Sequence, residues 1–193
     1  MDHVTIWRWV QRYAPETKPP LPPGTAEYKP VVASRRDVLQ GAGKWTYLYR
    51  AVDSTGATID FLLSAKRDAV AAKRFLQKAL RSPGHPRPRV INVDRNPSYP
   101  KAIAELRRTA DLGRRCRCRP IRYLNNIVEQ DHRAVKRRLR ACQGFRSFHS
   151  AWRTLQGIET MNMIRKGQVR WIPKDDIAGH AMFVRDIFSL TMR

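Results

Sequence analysis

The chain has 193 residues, with 38 Lys plus Arg against 16 Asp plus Glu, a formal net charge of +22. Hydrophobic residues make up 42%, five Trp among them, which is enough for one packed core and excludes full disorder. So large a charge repels itself unless a polyanion compensates it, so nucleic acid is the first partner class and an anionic membrane surface the second; no run approaches the ~20 apolar residues of a membrane-spanning helix.

Met1 to Tyr13 reads as a helix capped by Asp2, with Val4, Trp7 and Val10 at helical spacing. No signal peptide is read at the start, which points to the cytoplasm. Ala14 to Gly43 changes character: Lys18-Pro19-Pro20-Leu21-Pro22-Pro23-Gly24 excludes helix and central strand, and the segment reads as an irregular linker. From Lys44 the pattern is globular. Trp45 to Val52 and Thr58 to Leu63 predict two strands around the turn Asp53-Ser54-Thr55-Gly56. Ala65 to Leu80 predicts an amphipathic helix with Val70, Phe75, Leu76 and Leu80 inward, stopped by Ser82-Pro83-Gly84. Arg89 to Val93 predicts a short buried strand ending at Asp94, Pro100 to Thr109 a helix, and Cys116 to Pro120 a last short strand. Tyr123 to Cys142 predicts a longer helix with Val128, Val135, Leu139 and Cys142 on one stripe and Glu129, Arg133, Lys136 and Arg140 on the next. Helices at His149 to Ile164 and Asp175 to Met192 close the chain, with apolar rows Ala151, Leu155, Ile158, Met161 and Ile177, Ala181, Val184, Phe188. This order predicts an α/β fold with a mixed sheet. Cys116, Cys118 and Cys142 lack zinc-site spacing and read as reduced thiols.

Between Arg107 and Arg146, 13 Lys or Arg stand against Asp111, Glu129 and Asp131. A solvated face normally mixes signs, so this stretch reads as a phosphate-binding surface. The aromatics in and just after it, Tyr123, Phe145 and Phe148, could pack the core or stack on bases, and the core is the expectation. Two acids are informative. Asp94 ends an apolar strand, where ligands of α/β sheets gather, and Glu129 lies early in a helix, where the macrodipole favours an anion. Singly, such acids serve as ion pairs or caps; together, inside a basic domain, they suit hard divalent cations that bridge to phosphate oxygens.

Val90-Ile91-Asn92-Val93-Asp94-Arg95-Asn96-Pro97-Ser98-Tyr99-Pro100 and Tyr123-Leu124-Asn125-Asn126-Ile127-Val128-Glu129-Gln130-Asp131-His132-Arg133 resemble the signatures of bacterial insertion-sequence transposases of the DDE type, in the group typified by insertion sequence six. Gly43 to Asp53, Phe61 to Ser64 and Met163 to Gln168 extend the resemblance over most of the chain. It implies a ribonuclease H-like, integrase-type core at 43–170 and a C-terminal helical tail at 171–193. Residues 1–14 become the remnant of a helix-turn-helix, with Trp7 and Arg8 at DNA, and 15–42 a linker. Asp94 would be the second catalytic acid and Glu129 the third, with 34 residues between them as in the family. Lys136 would contact DNA, with Arg133, Arg137 and Arg140 on the same basic helix. The implied chemistry uses two Mg²⁺ or Mn²⁺ ions on three carboxylates to cut a strand and join its 3′-end to target DNA. The implied partners are double-stranded DNA, as terminal repeats and target, and further copies of the chain in a homodimer or larger assembly. The implied setting is the bacterial nucleoid, away from membranes.

The family's first acid stands in an Asp-Glu-Thr-Tyr strand eight residues before Gly43, where this chain has Arg35. Val32 to Gly41 can be written GTG GCG TCT CGA CGA GAC GTA CTT CAA GGT; read one nucleotide later this gives Trp-Arg-Leu-Asp-Glu-Thr-Tyr-Phe-Lys, the family's motif. About Thr17 to Gly41 is therefore expected to be an out-of-frame stretch. Asp37 is the nearby acid considered as a substitute metal ligand, but it lies two residues, ~6–7 Å, beyond the required place. Three readings compete: a transposase impaired in this copy, an inactive DNA-binding remnant, and an RNA-binding basic protein. The last leaves the acids unexplained.

Overall fold

The computed structural model describes residues 31–33, 38–41, 44–82, 87–121, 126–142, 145, 147–169 and 171–189, without the side chains of 31–45, 126–129, 140–141 and 187–189. The helix expected at 1–13 lies outside these residues. Two units are distinguished, Pro22–Ala151 and Met1–Leu21 with Trp152–Arg193.

The first unit contains β1 (Val31–Ala33), β2 (Val38–Gly41), β3 (Lys44–Val52), β4 (Thr58–Ser64), α1 (Ala69–Leu80), β5 (Val90–Val93), α2 (Ser98–Arg108), β6 (Arg117–Arg119) and α3 (Asn126–Ala141). The α/β class holds. In place of one mixed sheet there are two three-stranded sheets: a parallel one in the order β1-β5-β6 and an antiparallel one in the order β2-β3-β4. The segment expected to be irregular thus contributes two strands, built on Val31-Val32 and Val38-Leu39, whose β-branched and aliphatic residues suit a pleated strand.

The β3–β4 hairpin follows its turn chemistry. Asp53 Oδ1 accepts the Thr55 and Ala57 N–H groups at 2.8 and 2.9 Å, and Gly56 takes the left-handed conformation at φ 84. Parallel pairing of β5 with β6 requires a crossover, supplied by α2. The core gathers Tyr49, Ala51 and Ile59 from the hairpin, Phe75 and Leu76 from α1, Ile91 and Val93 from β5, and Tyr99, Ile103 and Leu106 from α2. α1 begins four residues later than Ala65, because Asp68 caps it by accepting the Ala71 N–H at 2.8 Å. That register turns Ala71, Ala72, Phe75, Leu76 and Ala79 inward and leaves Val70, expected inside, 66% exposed. On α3, Val135 and Leu139 are buried as expected; Cys142 is exposed, and the buried His132 takes a place in the stripe that polarity hid. Cys116 is buried and Cys118 half-buried.

The second unit holds most of α4 (Phe148–Arg165) and all of α5 (Ile177–Ser189). Leu155 is buried, but so are Glu159, Thr160 and Asn162, whereas Met161 from the expected apolar row is 44% exposed. α4 ends in a Schellman turn: Gly167, at φ 67, and Gln168 donate to the Ile164 and Met163 carbonyls, each at 2.9 Å. Asp176 caps α5 through the Gly179 N–H at 2.8 Å. Of the apolar row on this helix, Ile177 is 82% exposed, Ala181 is exposed and Val184 is half-buried. Phe148, expected in the core, is 47% exposed. Among the described residues no helix is long and apolar enough to cross a membrane.

Candidate active site

Asp94 stands one residue beyond the buried strand β5, whose Ile91 and Val93 are wholly enclosed. Its Oδ1 accepts the Asn96 N–H at 3.0 Å, and Asn96 Oδ1 in turn accepts the Ser98 N–H at 3.1 Å. These successive turns fix the loop between β5 and α2 and hold the Asp94 carboxylate in one orientation. Asp94 Oδ2 faces Arg67, whose Nη2 lies 3.6 Å away; Arg67 immediately precedes the cap of α1. Tyr99, 1% exposed, and Tyr49, 3% exposed, meet edge to face nearby with ring centroids 6.3 Å apart. Burial pushes the Tyr49 hydroxyl up to about 12, with the Asp68 charge adding to it. Burial and then the Asp94 charge raise Tyr99 well above 10. Both phenols therefore stay neutral and leave the charge of the site to the carboxylate and the guanidinium.

The Asp94 carboxylate has one oxygen fixed by backbone, and the other, the kind of donor a hard divalent ion takes, is faced by a partly exposed cation that such an ion would have to displace. Among the described residues no three His, Cys, Asp or Glu gather to hold a metal. Of the other candidate ligands, Asp37 lies outside the described residues, and Glu129 is on α3 with its side chain outside them. Glu129 is the fourth residue of α3, so it lies in the first turn, and the helix backbone sets it on the row of Arg133 and Lys136. Arg133 and Arg137 are exposed, Lys136 is half-buried, and the Arg140 side chain, with Trp7 and Arg8, lies outside the described residues.

What anchors α3 was not read from the sequence. Arg50, in the middle of β3 and 0% exposed, pairs with Asp131 at 2.7 Å, so a fully buried guanidinium ties the helix carrying Glu129 to the antiparallel sheet. The one available signal was an arginine inside an apolar strand. Beside this pair, burial and then the Arg50 charge lower His132 from 6.5 to about 3, against the opposing pull of Asp131. Unfolded His132 takes a proton near 6.5 and folded His132 only near 3, so between these values the unfolded chain binds the extra proton. Stability from this group is intact above pH 6.5 and is expected to fall as pH drops, by about 1.4 kcal/mol per unit. Urea denaturation from pH 7 to pH 4 checks it: His132→Gln should flatten the slope, and parallel curves for variant and parent would refute the assignment.

Compared with known proteins, residues 37–168 match the DDE domain of transposases of the IS240 type. The transposase for insertion sequence-like element IS431mec from Staphylococcus aureus strain Mu50 is 35% identical over 169 residues, covering 86% of this chain and 71% of that protein. The chain belongs to the DDE transposases. The Staphylococcus aureus transposase for insertion sequence element IS257 in transposon Tn4003 is similar to the same extent, 35% over 169 residues. An uncharacterized protein of Yersinia pseudotuberculosis, pYV0051, is 38% identical over 76 residues, 39% of the chain. Membership gives this transposase its activity class, DNA transposition.

Proposed function

We propose that the transposase works from a ribonuclease H-like core in which Asp94 and Glu129 are the second and third acids, and that cutting is impaired in this copy because Arg35 occupies the first acid's place. The observation that carries this reading is the pair of motifs around Asp94 and Glu129, with 34 residues between the two acids, within the matched domain. The strand pairing supports the core. β1 lies beside β5, which pairs with β6, and β2, next along the chain, lies beside β3, which pairs with β4. Ala33 is level with Val93, the residue before Asp94, which sets the carboxyl end of β1 beside the acid.

In this reading Asp94 and Glu129 would hold Mg²⁺ or Mn²⁺, two ions in the complete triad, and the chemistry such ions would supply is Lewis-acid activation of water or a 3′-hydroxyl and charge stabilisation at the leaving oxygen. Asp94 is pre-set by its turn; Arg133, Lys136, Arg137 and Arg140 follow the DNA backbone; Trp7 and Arg8 approach the terminal repeat. The protein acts on double-stranded DNA as a homodimer or larger assembly, at the nucleoid. The test is a labelled transposon end with Mg²⁺ or Mn²⁺ over a salt series. This chain should bind with affinity falling linearly in log salt, and Arg133→Gln and Arg137→Gln should each reduce the slope by about 0.9, while the strand stays uncut. Efficient cleavage by the unaltered chain would contradict the impairment, and salt-independent binding the DNA surface.

A further inference from the structure

The two oxygens of Asp94 keep different company. Oδ1 is committed to the Asn96 N–H at 3.0 Å. Among the described residues, Oδ2 has only a loose ion pair, Arg67 Nη2 at 3.6 Å, beyond hydrogen-bond reach, with side-chain exposures of 29% for Arg67 and 11% for Asp94. Arg67 is held near it by its place in the chain: Asp68 anchors the first turn of α1, and Tyr49 donates to the neighbouring Lys66 carbonyl at 3.4 Å. The base of Arg67 is therefore fixed while its tip reaches solvent, at the carboxyl end of β5.

We propose that Arg67 is the resident counter-ion of Asp94 in the free protein, and that it gives up Oδ2 to a divalent cation and turns to a phosphate oxygen of the bound DNA strand. The inference rests on the reading of Asp94 as a metal-holding acid. A divalent ion held by Oδ2 would share the oxygen that Arg67 faces, where like charges repel. A single long contact at a partly exposed tip holds the guanidinium weakly. A phosphate offers it paired oxygens matched to its planar fork, which an ammonium would not exploit as well. Metal and DNA then favour one another through this one side chain, because each removes the competitor or the vacancy that the other leaves.

The test uses the full chain and Mn²⁺ alone, following paramagnetic broadening of the Asn96 amide, which is bonded to Asp94 Oδ1. Arg67→Gln should bind Mn²⁺ about two- to five-fold more tightly than the parent, since a competing cation is gone, and Arg67→Lys should stay near the parent. A merely structural arginine would give the opposite sign. In a second arm, Mn²⁺ should strengthen binding of a fluorescent duplex to the parent more than to Arg67→Gln. Unchanged or weaker Mn²⁺ binding by Arg67→Gln, or equal strengthening in both proteins, overturns the proposal. Broadening that persists in Asp94→Asn instead overturns the reading of Asp94, so the two failures are distinguishable.

Discussion

Replacing Val32 to Gln40 with Trp-Arg-Leu-Asp-Glu-Thr-Tyr-Phe-Lys is expected to raise metal-dependent cleavage of a transposon end by about 10³-fold or more. A metal's stabilisation of transition-state charge is worth several kcal/mol, and each 1.4 kcal/mol is about tenfold in rate. The replacement puts an aspartate at position 35, two residues past Ala33, whose partner Val93 adjoins Asp94. In the repaired background, Asp94→Ala and Glu129→Ala should each return cleavage to background while duplex binding persists. Arg35→Asp alone should recover less, since the surrounding stretch is also foreign to the motif. Sequencing the gene gives an independent check: if no alternative frame encodes the nine residues, the out-of-frame account is wrong. If the repaired protein folds and binds but stays inactive, the loss of the first acid was not the cause.

The second large effect concerns stability. Arg50→Met or Asp131→Leu alone should destabilise the chain by about 3–5 kcal/mol, because each takes the ion-pair partner away from a buried charge. The pair joins a 0% exposed guanidinium to a 10% exposed carboxylate. The double variant should recover most of that loss, since well-packed apolar residues often replace a buried ion pair with little penalty. Denaturant curves on the four proteins measure the coupling. Single variants costing less than about 1 kcal/mol would place the pair in solvent-screened surroundings. Loss of this tie should also reduce cleavage in the repaired protein, through α3 and the glutamate in its first turn.

Much of the fold was legible because local chemistry agreed with tertiary packing. The hairpin β3–β4 had turn residues and β-branched runs, and α2 had its proline in the first turn. Where polarity misled, the cause was tertiary. Val70 faces out because Asp68 sets the helix register, and Phe148 and Ile177 are apolar yet exposed. β1 and β2 were missed because the proline-rich run before them dominated the reading, while Val31 and Val38 each begin a strand too short to show alternation. At the site, Asp94 was legible from its strand and motif. Arg67, Arg50 and His132 were not, because each matters through a partner remote in sequence, such as Asp94 or Asp131.

The three cysteines, unlike in burial, have a practical consequence for following this protein on DNA. Burial pushes the Cys116 thiol up to about 11 and raises Cys118 as well, so both are poor nucleophiles at neutral pH. Cys142 is exposed, directly after the last residue of α3, the helix that begins at Asn126 and carries Glu129. The native chain thus has a selective attachment point for a thiol-reactive dye on that helix, and its motion against a labelled duplex can be followed without removing any cysteine.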